Sequence, residues 1–155
     1  MKKTTHCNCK TGCKNNRCAC IAHCESCGSK CGCTNCQNPF NGIDREDFTD
    51  CALQNIWRYR ELMEDDLKKE CELPCECEKV ALKDLIGEYA CTKCGELYWY
   101  SLCWDEVVQD SETWHCKICG QCRDAAEWHC KRCNKCTYGL GSSCEYCSAK
   151  SPYRV

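Results

Sequence analysis

Cysteine is the residue that most constrains how this chain can fold. The 155 residues include 25 cysteines, most of them in Cys-x-Cys or Cys-x-x-Cys pairs. Such pairs either chelate metal or form disulfides, and a disulfide within Cys-x-Cys closes a small, strained ring. The cysteine count is odd, and the first residues are polar and lack the apolar region of a signal peptide. We therefore expect an intracellular protein whose cysteines bind zinc.

Core-forming apolar residues are sparse. There are only two Phe, and Leu, Ile and Val are few outside the middle of the chain. A small domain that buries little apolar surface needs additional cross-links, and in such domains the free energy of metal binding becomes folding free energy. The sequence therefore predicts a small, zinc-stabilised, mostly irregular α+β fold. It predicts no membrane partner, because no stretch approaches the roughly 20 apolar residues of a transmembrane helix.

Charge and composition divide the chain into three segments. Residues 1–40 carry six Lys or Arg against one acid, residues 41–90 carry seven against fourteen, and residues 91–155 carry eight against eight. We interpret residues 1–40 as a zinc-cluster module, called the head below. Residues 41–90 are interpreted as an amphipathic helix with a connector, and residues 91–155 as a Cys/His-rich zinc-ribbon module.

The second segment has the periodicity of one amphipathic helix over residues 44–70. Asp44 is the expected N-cap, and Ile43 and Phe48 flank it as a hydrophobic staple. The apolar positions recur at steps of three and four residues, and they are Phe48, Ala52, Ile56, Tyr59, Leu62, Met63 and Leu67. Two interpretations of this stripe are open: packing against the zinc modules, or contact with a partner helix, including a homodimer.

The head contains ten cysteines, with three Cys-x-Cys pairs among them. They are Cys7, Cys9, Cys13, Cys18, Cys20, Cys24, Cys27, Cys31, Cys33 and Cys36. Structural zinc is tetrahedral, and its usual four-cysteine sites use pairs separated by two to four residues. The head packs its thiolates too densely for separate sites of that kind, so we expect zinc ions to share sulfur atoms.

This stretch resembles the tesmin-type CXC domain. The family pattern maps onto Cys7-x-Cys9-x₃-Cys13-x₄-Cys18-x-Cys20-x₆-Cys27-x₃-Cys31-x-Cys33-x₂-Cys36, followed by Asn38. The resemblance implies a cluster of three zinc ions and nine cysteines, in which three thiolates bridge because nine sulfurs fill twelve coordination positions. Cys24 is surplus to the pattern, and two roles are open for it: replacement of a ligand, or a buried free thiol.

The same resemblance implies binding to duplex DNA. Some family members read the minor groove through a tyrosine just before the fourth cysteine, and Arg17 occupies that position here. Arginine suits a narrow, electronegative minor groove. Lys10, Lys14 and Lys30 are candidate phosphate contacts, with plain solvated charges as the alternative. Bound cysteines are thiolates, so a metallated head is only mildly positive, which favours a few specific contacts over strong non-specific affinity.

The third segment contains an internal repeat. The motif Trp-His-Cys-x-x-Cys-x-x-Cys begins at Trp114 and recurs fourteen residues later at Trp128, and Cys-x-x-Cys pairs stand on either side. The candidate ligands are Cys91, Cys94, His115, Cys116, Cys119, Cys122, His129, Cys130, Cys133, Cys136, Cys144 and Cys147. They would complete about three tetrahedral zinc sites, which gives about six ions for the whole chain, with seven as the upper count. For the two histidines, a packing or hydrogen-bonding role is the alternative.

The stretch from Trp114 to Cys147 also resembles, more loosely, the zinc ribbon of CHY-type ubiquitin ligases. The shared feature is a Cys-x-x-Cys-x-x-Cys run followed after a short gap by His-Cys-x-x-Cys-x-x-Cys. A RING pattern is not matched, because no His follows Cys103 within the required few residues. The resemblance implies that this module docks a protein.

Five further cysteines remain without a firm assignment. Cys71, Cys75 and Cys77 form a small group that would complete another metal site, with Cys51 as one candidate for the fourth ligand. Cys103 is expected to stay outside the three sites of the third segment. These residues therefore decide whether the chain binds six ions or seven.

Together these features predict a zinc-dependent adaptor that binds DNA or chromatin through the head and a protein through the third segment. Such a role would place the chain in the nucleus or in a viral DNA compartment. The alternatives are a component of a ubiquitin-ligase system and a metal-storage protein, although five Trp and seven Tyr argue against storage. No catalytic constellation stands out, because each Cys or His that would serve as nucleophile or base is better used as a ligand.

Overall fold

The secondary structure consists of short elements throughout. The computed structural model describes residues 5–153, and within them lie four α-helices, two 3₁₀ helices and nine β-strands. The α-helices are α1 (Ala19–Ala22), α2 (Asp50–Gln54), α3 (Ile56–Glu61) and α4 (Glu64–Lys68), and the 3₁₀ helices span Arg45–Asp47 and Leu82–Leu85. The strands are β1 (Glu70–Glu72), β2 (Lys79–Ala81), β3 (Tyr89–Ala90), β4 (Leu97–Ser101), β5 (Glu106–Gln109), β6 (Thr113–Cys116), β7 (Gln121–Asp124), β8 (Glu127–Cys130) and β9 (Lys135–Tyr138).

Every strand pairs antiparallel with its neighbour in sequence. The sheets are β1–β2, β3–β4–β5, β6–β7 and β8–β9, so the chain after residue 70 is a series of hairpins. An isolated two-stranded hairpin is at best marginally stable in water. These hairpins therefore depend on what lies between them, which is a set of cysteine and histidine clusters.

The head is irregular, as the sequence predicts, and α1 is the one helix in its described part. Backbone hydrogen bonds join its distant stretches, for example from the Gly32 N–H to the Cys7 carbonyl (2.8 Å) and from the Gln37 N–H to the Gly12 carbonyl (2.7 Å). Gly12 has φ of +82°, and a Cβ there would lie 2.8 Å from the Asn35 carbonyl oxygen. Glycine is therefore required at this crossing.

The single helix expected over residues 44–70 is not formed. The chain folds instead into α2, α3 and α4, and the first break lies at Asn55. The Asn55 side-chain amide donates to the Cys51 carbonyl (2.8 Å) and lies 3.4 Å from the Cys103 sulfur. A short polar side chain that bonds the local backbone competes with helical hydrogen bonding. Here that side chain also serves a thiolate from a distant part of the chain, which the helical periodicity does not encode.

The second break lies at Leu62 and Met63, which are both extended. The Met63 N–H donates to the Asp66 carboxylate (2.9 Å), so α4 begins with a side-chain cap of its own. Its first turn is acidic, which suits the positive end of a helix. The apolar stripe is consequently divided among three short helices.

Helix α2 packs between two apolar clusters. Leu53 of α2 and Ile56, the first residue of α3, are buried against the head with Ile21 and Phe40. On its other side, α2 packs against the hairpins through Cys51 and Ala52, which are both fully buried. The middle segment therefore holds the head against the hairpin series, in line with the packing interpretation of the apolar stripe.

The second cluster contains residues from both the helical segment and the hairpins. Cys51 and Ala52 of α2 pack there with Trp99 of β4, Leu102 and Val108. Such burial of a Trp together with aliphatic side chains contributes several kcal/mol in total at about 25 cal/mol per Å². It supplies the apolar core that the composition does not reveal.

The structure extends the repeat from two copies to three. Trp99, Trp114 and Trp128 occupy the same position in the hairpins β4–β5, β6–β7 and β8–β9. In each hairpin the indole Nε1 donates to a residue at or just after the end of the second strand. The acceptors are the Asp110 carboxylate (3.1 Å), the Asp124 carbonyl (3.0 Å) and the Gly139 carbonyl (2.9 Å) respectively.

The hairpin turns repeat as well. Asp105, Gly120 and Asn134 have positive φ values of 55°, 69° and 57°. Each donates its N–H to the carbonyl four residues earlier, at 2.7 to 2.8 Å. In the first copy a serine stands where the later copies have the first turn cysteine, namely Ser101 in place of Cys116 and Cys130. The first hairpin is thus a degenerate copy, in which Ser101, Trp104 and Val107 stand at the positions of the three repeat cysteines.

Candidate metal centre

The head sulfurs form three overlapping groups. In each group the four ligand atoms lie within 4.8 Å of one another, and the groups are Cys7/Cys20/Cys27/Cys31, Cys7/Cys13/Cys18/Cys27 and Cys13/Cys27/Cys33/Cys36. Cys7, Cys13 and Cys27 recur between groups, with sulfur–sulfur distances of 3.6 to 3.8 Å. Distances of this size are expected between sulfurs that share a tetrahedral ion. The overlap is the feature that the dense Cys-x-Cys spacing predicts.

Cys9 lies beside the same cluster. Its sulfur contacts those of Cys18, Cys13 and Cys7, and burial together with Cys18 raises its pKa to about 11. The pKa of Cys7 is lowered to about 7, because a backbone N–H at Cys9 and neighbouring sulfurs outweigh the effect of burial. These opposite shifts have one structural cause, which is the close packing of the sulfurs in the head.

Asparagine side chains around the head donate hydrogen bonds to its sulfurs. The Asn38 amide donates to the Cys27 sulfur (3.3 Å) and to the Glu25 carbonyl (2.8 Å). The Asn41 amide donates to the Cys36 sulfur (3.4 Å). Hydrogen bonds to ligand atoms orient them and stabilise their charged form. Asn38 is itself buried, so its position is fixed by the fold.

Cys24 lies outside the three groups. It packs at the edge of the head core, and burial raises the pKa of its thiol. Its position outside the groups supports the second of its two expected roles, that of a free thiol, here partly buried.

Four further groups lie outside the head, where the sequence predicts about three. The first consists of Cys75, Cys77, Cys91 and Cys94, from the turns that connect β1 to β2 and β3 to β4. The backbone N–H at Cys77 lowers the pKa of Cys75 to about 7. Cys75 and Cys77 belong to the middle segment and Cys91 to the third, so this group crosses the expected boundary at residue 90.

The second group consists of Cys51, Cys103, His115 and Cys122. Cys51 comes from α2, Cys103 from the β4–β5 turn, and the other two from β6 and β7. The His115 Nδ1 atom lies 3.7 Å from the Cys103 sulfur and 3.5 Å from the Cys122 sulfur. A hydrogen bond with Cys122, and then His115, lowers the pKa of Cys51 to about 4 although burial opposes this. Cys103, which was expected to lack a site, is therefore a ligand candidate.

The third group repeats this geometry one hairpin later. Cys116 and Cys119 of the β6–β7 turn face His129 and Cys136 of β8 and β9. The His129 Nδ1 atom lies 3.5, 3.4 and 3.7 Å from the sulfurs of Cys116, Cys119 and Cys136. The two central motifs of the sequence repeat thus build one site together, and neither motif forms a site alone.

The fourth group joins two Cys-x-x-Cys turns. Cys130 lies 3.6 Å from Cys147, and Cys133 lies 3.6 Å from Cys144, measured between sulfurs. Burial raises the pKa of Cys144, but hydrogen bonds from the N–H groups of Tyr146 and Cys147 outweigh this effect. The net result is a pKa lowered to about 6. Turn N–H groups that point at a thiolate are typical of structural zinc sites.

Each of the last three groups joins ligands from consecutive hairpins or turns. The turn of one hairpin supplies two ligands, and the next hairpin or turn supplies the other two. In the degenerate first copy the turn supplies only Cys103, since Ser101 and Trp104 stand at the positions of the turn cysteines. Cys51 of α2 takes the fourth position. The Ser101 hydroxyl instead donates to the Cys122 sulfur (3.1 Å).

Both histidines present Nδ1 to the sulfurs and Nε2 to an amide oxygen. The His115 Nε2 atom lies 2.6 Å from Gln54 Oε1, and the His129 Nε2 atom lies 3.1 Å from Asn134 Oδ1. An amide oxygen only accepts, so Nε2 carries the proton and Nδ1 is left with a free lone pair. This is the arrangement by which proteins orient a metal-binding histidine. The geometry favours ligation over a packing role.

All the metal ligands that the sequence predicts lie in or beside these groups. The sequence missed Cys51 and Cys103 as partners of His115, and it did not pair Cys75 and Cys77 with Cys91 and Cys94. The repeat does not identify Cys103 either, because Cys103 aligns with Ile118 and Arg132, which stand between the turn cysteines of the later copies. No signal in the sequence connects Cys51 to residues more than fifty positions away.

The candidate DNA contacts lie on the surface of the head. Lys10, Lys14, Arg17 and Lys30 are all exposed. Lys10 and Lys14 line one groove together with polar residues, and Arg17 lies in the turn that leads into α1. The structure does not bring Lys30 to that groove.

Across residues 5–153, no helix combines the length and the apolar character needed to cross a bilayer. Comparisons of this chain with family models, with curated proteins and with solved structures give no match.

Proposed function

We propose that the chain binds seven zinc ions, three in the head and four in the hairpin series. The number of metal-sized cysteine and histidine groups supports this count. The donor set of thiolates with one imidazole at two sites is the set that structural zinc prefers. With this assignment, all of the 25 cysteines except Cys24 and Cys71 become ligands.

In the head, we assign Cys7, Cys13 and Cys27 as the bridging ligands. Their recurrence between groups supports this choice. Each ion would then take two bridging sulfurs and one terminal pair, the pairs being Cys20/Cys31, Cys9/Cys18 and Cys33/Cys36. This arrangement uses nine thiolates for three ions, as the resemblance to the tesmin-type CXC domain implies.

Native mass spectrometry of the intact protein tests the count. Seven zinc ions are expected for the wild type. His129→Ala with Cys136→Ala removes two ligands of a single site, so six ions are expected. Lys131→Ala with Arg132→Ala, which changes two exposed residues of the same turn and leaves every ligand and the His129 partner in place, is the control and should retain seven. Six or fewer ions in the fully loaded wild type would contradict the assignment.

We propose further that the head binds duplex DNA. The observation that carries this is the groove beside the cluster, which has Lys10 and Lys14 on its wall, polar residues Thr34, Asn35 and Gln37, and no acid in its lining. Phosphate oxygens are the ligands such a surface fits. Arg17 projects from the same stretch of chain, where it would reach a narrow minor groove.

Titration of a fluorescently labelled AT-rich duplex tests this proposal. Arg17→Ala should weaken binding by about 1–3 kcal/mol, or roughly five- to a hundredfold. Arg132→Ala is the matched control, because Arg132 is an exposed arginine in a hairpin turn far along the chain. Equal affinity of the two variants, or no binding by the wild type at low salt, would remove the DNA proposal.

The lysines have a distinct signature. If Lys10 and Lys14 each neutralise a phosphate, replacing either with alanine should reduce the slope of log K against log salt by about 0.9. Binding should weaken similarly on duplexes of different sequence, because phosphate contacts carry no base information. Lys83→Ala, in the acidic middle segment, should leave the slope unchanged.

The site geometry favours a structural role for the metal over storage. The sulfurs accept hydrogen bonds from Asn38, Asn41, Asn55 and Ser101, and buried tryptophans pack beside them. Such second-layer partners fix a single geometry, which a storage protein does not need. The zinc-ribbon part would then act as a protein-docking surface, and a DNA-binding head would place the chain in a nucleus or viral DNA compartment. A ubiquitin-ligase component is the competing proposal, and ubiquitin discharge from a panel of conjugating enzymes separates the two.

A further inference from the structure

A cleft of about 850 Å³ opens between the middle segment and the hairpins. Its walls are residues 46–51, residues 83–88 and the strands β4 and β6. Pockets that take ligands have volumes of roughly 300–1,000 Å³, so the cleft has room for several side chains of a peptide.

Negative charge dominates the lining of the cleft. The acidic residues are Glu46, Asp47, Asp50, Asp84, Glu88 and Asp110, and Lys83 is the one basic residue of the lining. In the part of the chain that the structure describes, no ion pair involves Glu46, Asp47, Asp84 or Glu88. Most of these carboxylates are therefore available to an incoming cation.

Two of the acids do have partners. Asp50 lies 3.5 Å from the Lys117 ammonium, and Asp110 accepts a hydrogen bond from the Trp99 indole. The cleft also borders Cys51 and His115. Once zinc is bound there, three thiolates and one Zn²⁺ leave a net charge of −1, which adds to the negative potential.

The lining also contains aromatic rings. Phe48, Trp99 and Trp114 contribute to it, and Trp114 is only half-buried. A guanidinium or ammonium group placed over an aromatic face gains about 0.5–1 kcal/mol at exposed sites and more when desolvated. Carboxylates beside aromatic rings are the surroundings that arginine and lysine side chains find favourable.

The walls are tied together by the backbone. The Thr49 N–H donates to the Ile86 carbonyl (3.1 Å), which fixes the start of α2 against the 82–86 turn. A Cβ at Gly87 would lie 2.6 Å from the Asp47 carbonyl oxygen, so the two walls approach as closely as glycine allows. A cleft with fixed walls pays little ordering cost when a ligand enters.

We infer that this cleft binds a lysine- or arginine-rich peptide segment of a partner protein. Charge complementarity selects the occupant, because unpaired carboxylates exclude an acidic or phosphorylated one. Its volume is suited to several side chains of a chain segment. The inference is independent of DNA binding, since the cleft and the basic groove of the head share no lining residue.

Fluorescence anisotropy with zinc-loaded protein tests the inference. The probe is a dye-labelled ten-residue peptide rich in Arg and Lys, and a peptide with Glu in place of each basic residue is its counterpart. The cleft variant combines Asp47→Asn, Asp84→Asn and Glu88→Gln. The matched control combines Asp65→Asn, Glu70→Gln and Glu72→Gln, which removes the same charge from exposed positions outside the cleft.

The basic peptide should bind the wild type and the control with similar affinity. The cleft variant should bind the basic peptide at least about tenfold more weakly than the wild type. The acidic peptide should not bind. Equal weakening in both variants would mean non-specific attraction to a negative protein and would overturn the inference, as would the absence of binding to the wild type. The zinc content of each variant reports whether it is folded. If the triple variant loses zinc, Asp84→Asn and Glu88→Gln are tested singly, and each should weaken binding about two- to threefold. Unchanged affinity in both single variants would count against the inference.

Discussion

The His115 Nε2 atom lies 2.6 Å from the Gln54 Oε1 atom, and the Gln54 side-chain amide donates to the Lys117 carbonyl at 2.9 Å. One glutamine at the end of α2 therefore orients both the ring of a candidate ligand histidine and the turn that follows it. Together with Cys51, which enters the same metal group from α2, it anchors the helical segment to the hairpins. This contact makes the tautomer of His115 depend on a residue sixty positions away.

Replacing Gln54 with alanine should weaken metal binding at this site alone. Loss of such an outer partner typically costs about 10–100-fold in metal affinity. The matched variant is Asn134→Gly, which removes the partner of His129 and keeps the positive φ that position 134 requires. Competition with a chromophoric chelator should show that one zinc ion is bound less tightly in each variant. Mapping of the cysteines that are protected from alkylation should then identify a different weakened site in each variant. Weakening of several ions by Gln54→Ala would contradict a local role.

Replacing both Cys24 and Cys71 with serine should leave the metal content unchanged. Neither sulfur belongs to a group in the proposed assignment, in which every zinc site is complete without them. Native mass spectrometry of the double variant should give the wild-type number of ions. A parallel double variant, Cys130→Ser with Cys133→Ser, should lose one ion, and metal loss from the first variant would show that one of the two cysteines is a ligand.

Position 120 should accept asparagine and reject valine. Gly120 has φ of +69°, and the equivalent residue of the next hairpin is Asn134 at +57°. Asparagine tolerates this conformation, whereas a β-branched residue there is strained by about 1–3 kcal/mol. Thermal unfolding of the zinc-loaded protein should show a small change for Gly120→Asn and a drop of several degrees for Gly120→Val. Equal effects would mean that the turn conformation does not limit this site.

Leu85→Ala should destabilise the fold without touching a ligand. The Leu85 side chain is 0% exposed and packs with Leu73, Val80 and Tyr98. Removing a buried leucine side chain costs about 2–5 kcal/mol. Ile118→Ala is the control, because Ile118 is 63% exposed and exposed substitutions stay within about 0.5 kcal/mol. Urea unfolding of the zinc-loaded variants measures both, and equal midpoints would show that metal binding alone determines stability.

Removal of zinc should unfold the hairpin series cooperatively. Two-stranded hairpins are marginal on their own, and each of the groups at His115, His129 and Cys144 holds two neighbouring units together. Stepwise addition of a strong chelator should therefore cause joint loss of near-UV circular dichroism from the tryptophans. A tryptophan signal that persists after complete metal removal would mean that Trp99, Trp114 and Trp128 form a core without it.

Local spacing predicts many of the residues that lie in the metal-sized groups, but it does not predict which of them lie together. The Cys-x-x-Cys turns and the sharing of sulfurs in the head follow from distances along a few residues of chain. The pairing of Cys75 and Cys77 with Cys91 and Cys94 depends on how two hairpins stack, which residue spacing does not specify. The count of groups outside the head was low for this reason.

The middle segment shows a different limit. Its apolar residues recur with helical periodicity, yet the helix is interrupted twice. The Asn55 side chain bonds the backbone where α2 ends, and the Asp66 side chain bonds the backbone where α4 begins. Periodicity predicts the burial of Ala52 and Ile56, which are buried, but Met63 of the same predicted stripe is 70% exposed and Leu53 outside it is buried. It does not report whether the helix axis continues, because that depends on polar side chains whose partners include a sulfur from a remote turn.

Because neighbouring hairpins divide the ligands of a site between them, a unit of this series is incomplete at both ends. An inserted copy of the fourteen-residue repeat would accept the preceding half-site and offer a new one, so the series would lengthen by one unit and one ion without redesign of its neighbours. A truncation within the series leaves an open half-site with two thiolates. Proteins built this way can change length only in whole repeats, and a cut end would bind metal together with any second chain that presents the complementary pair.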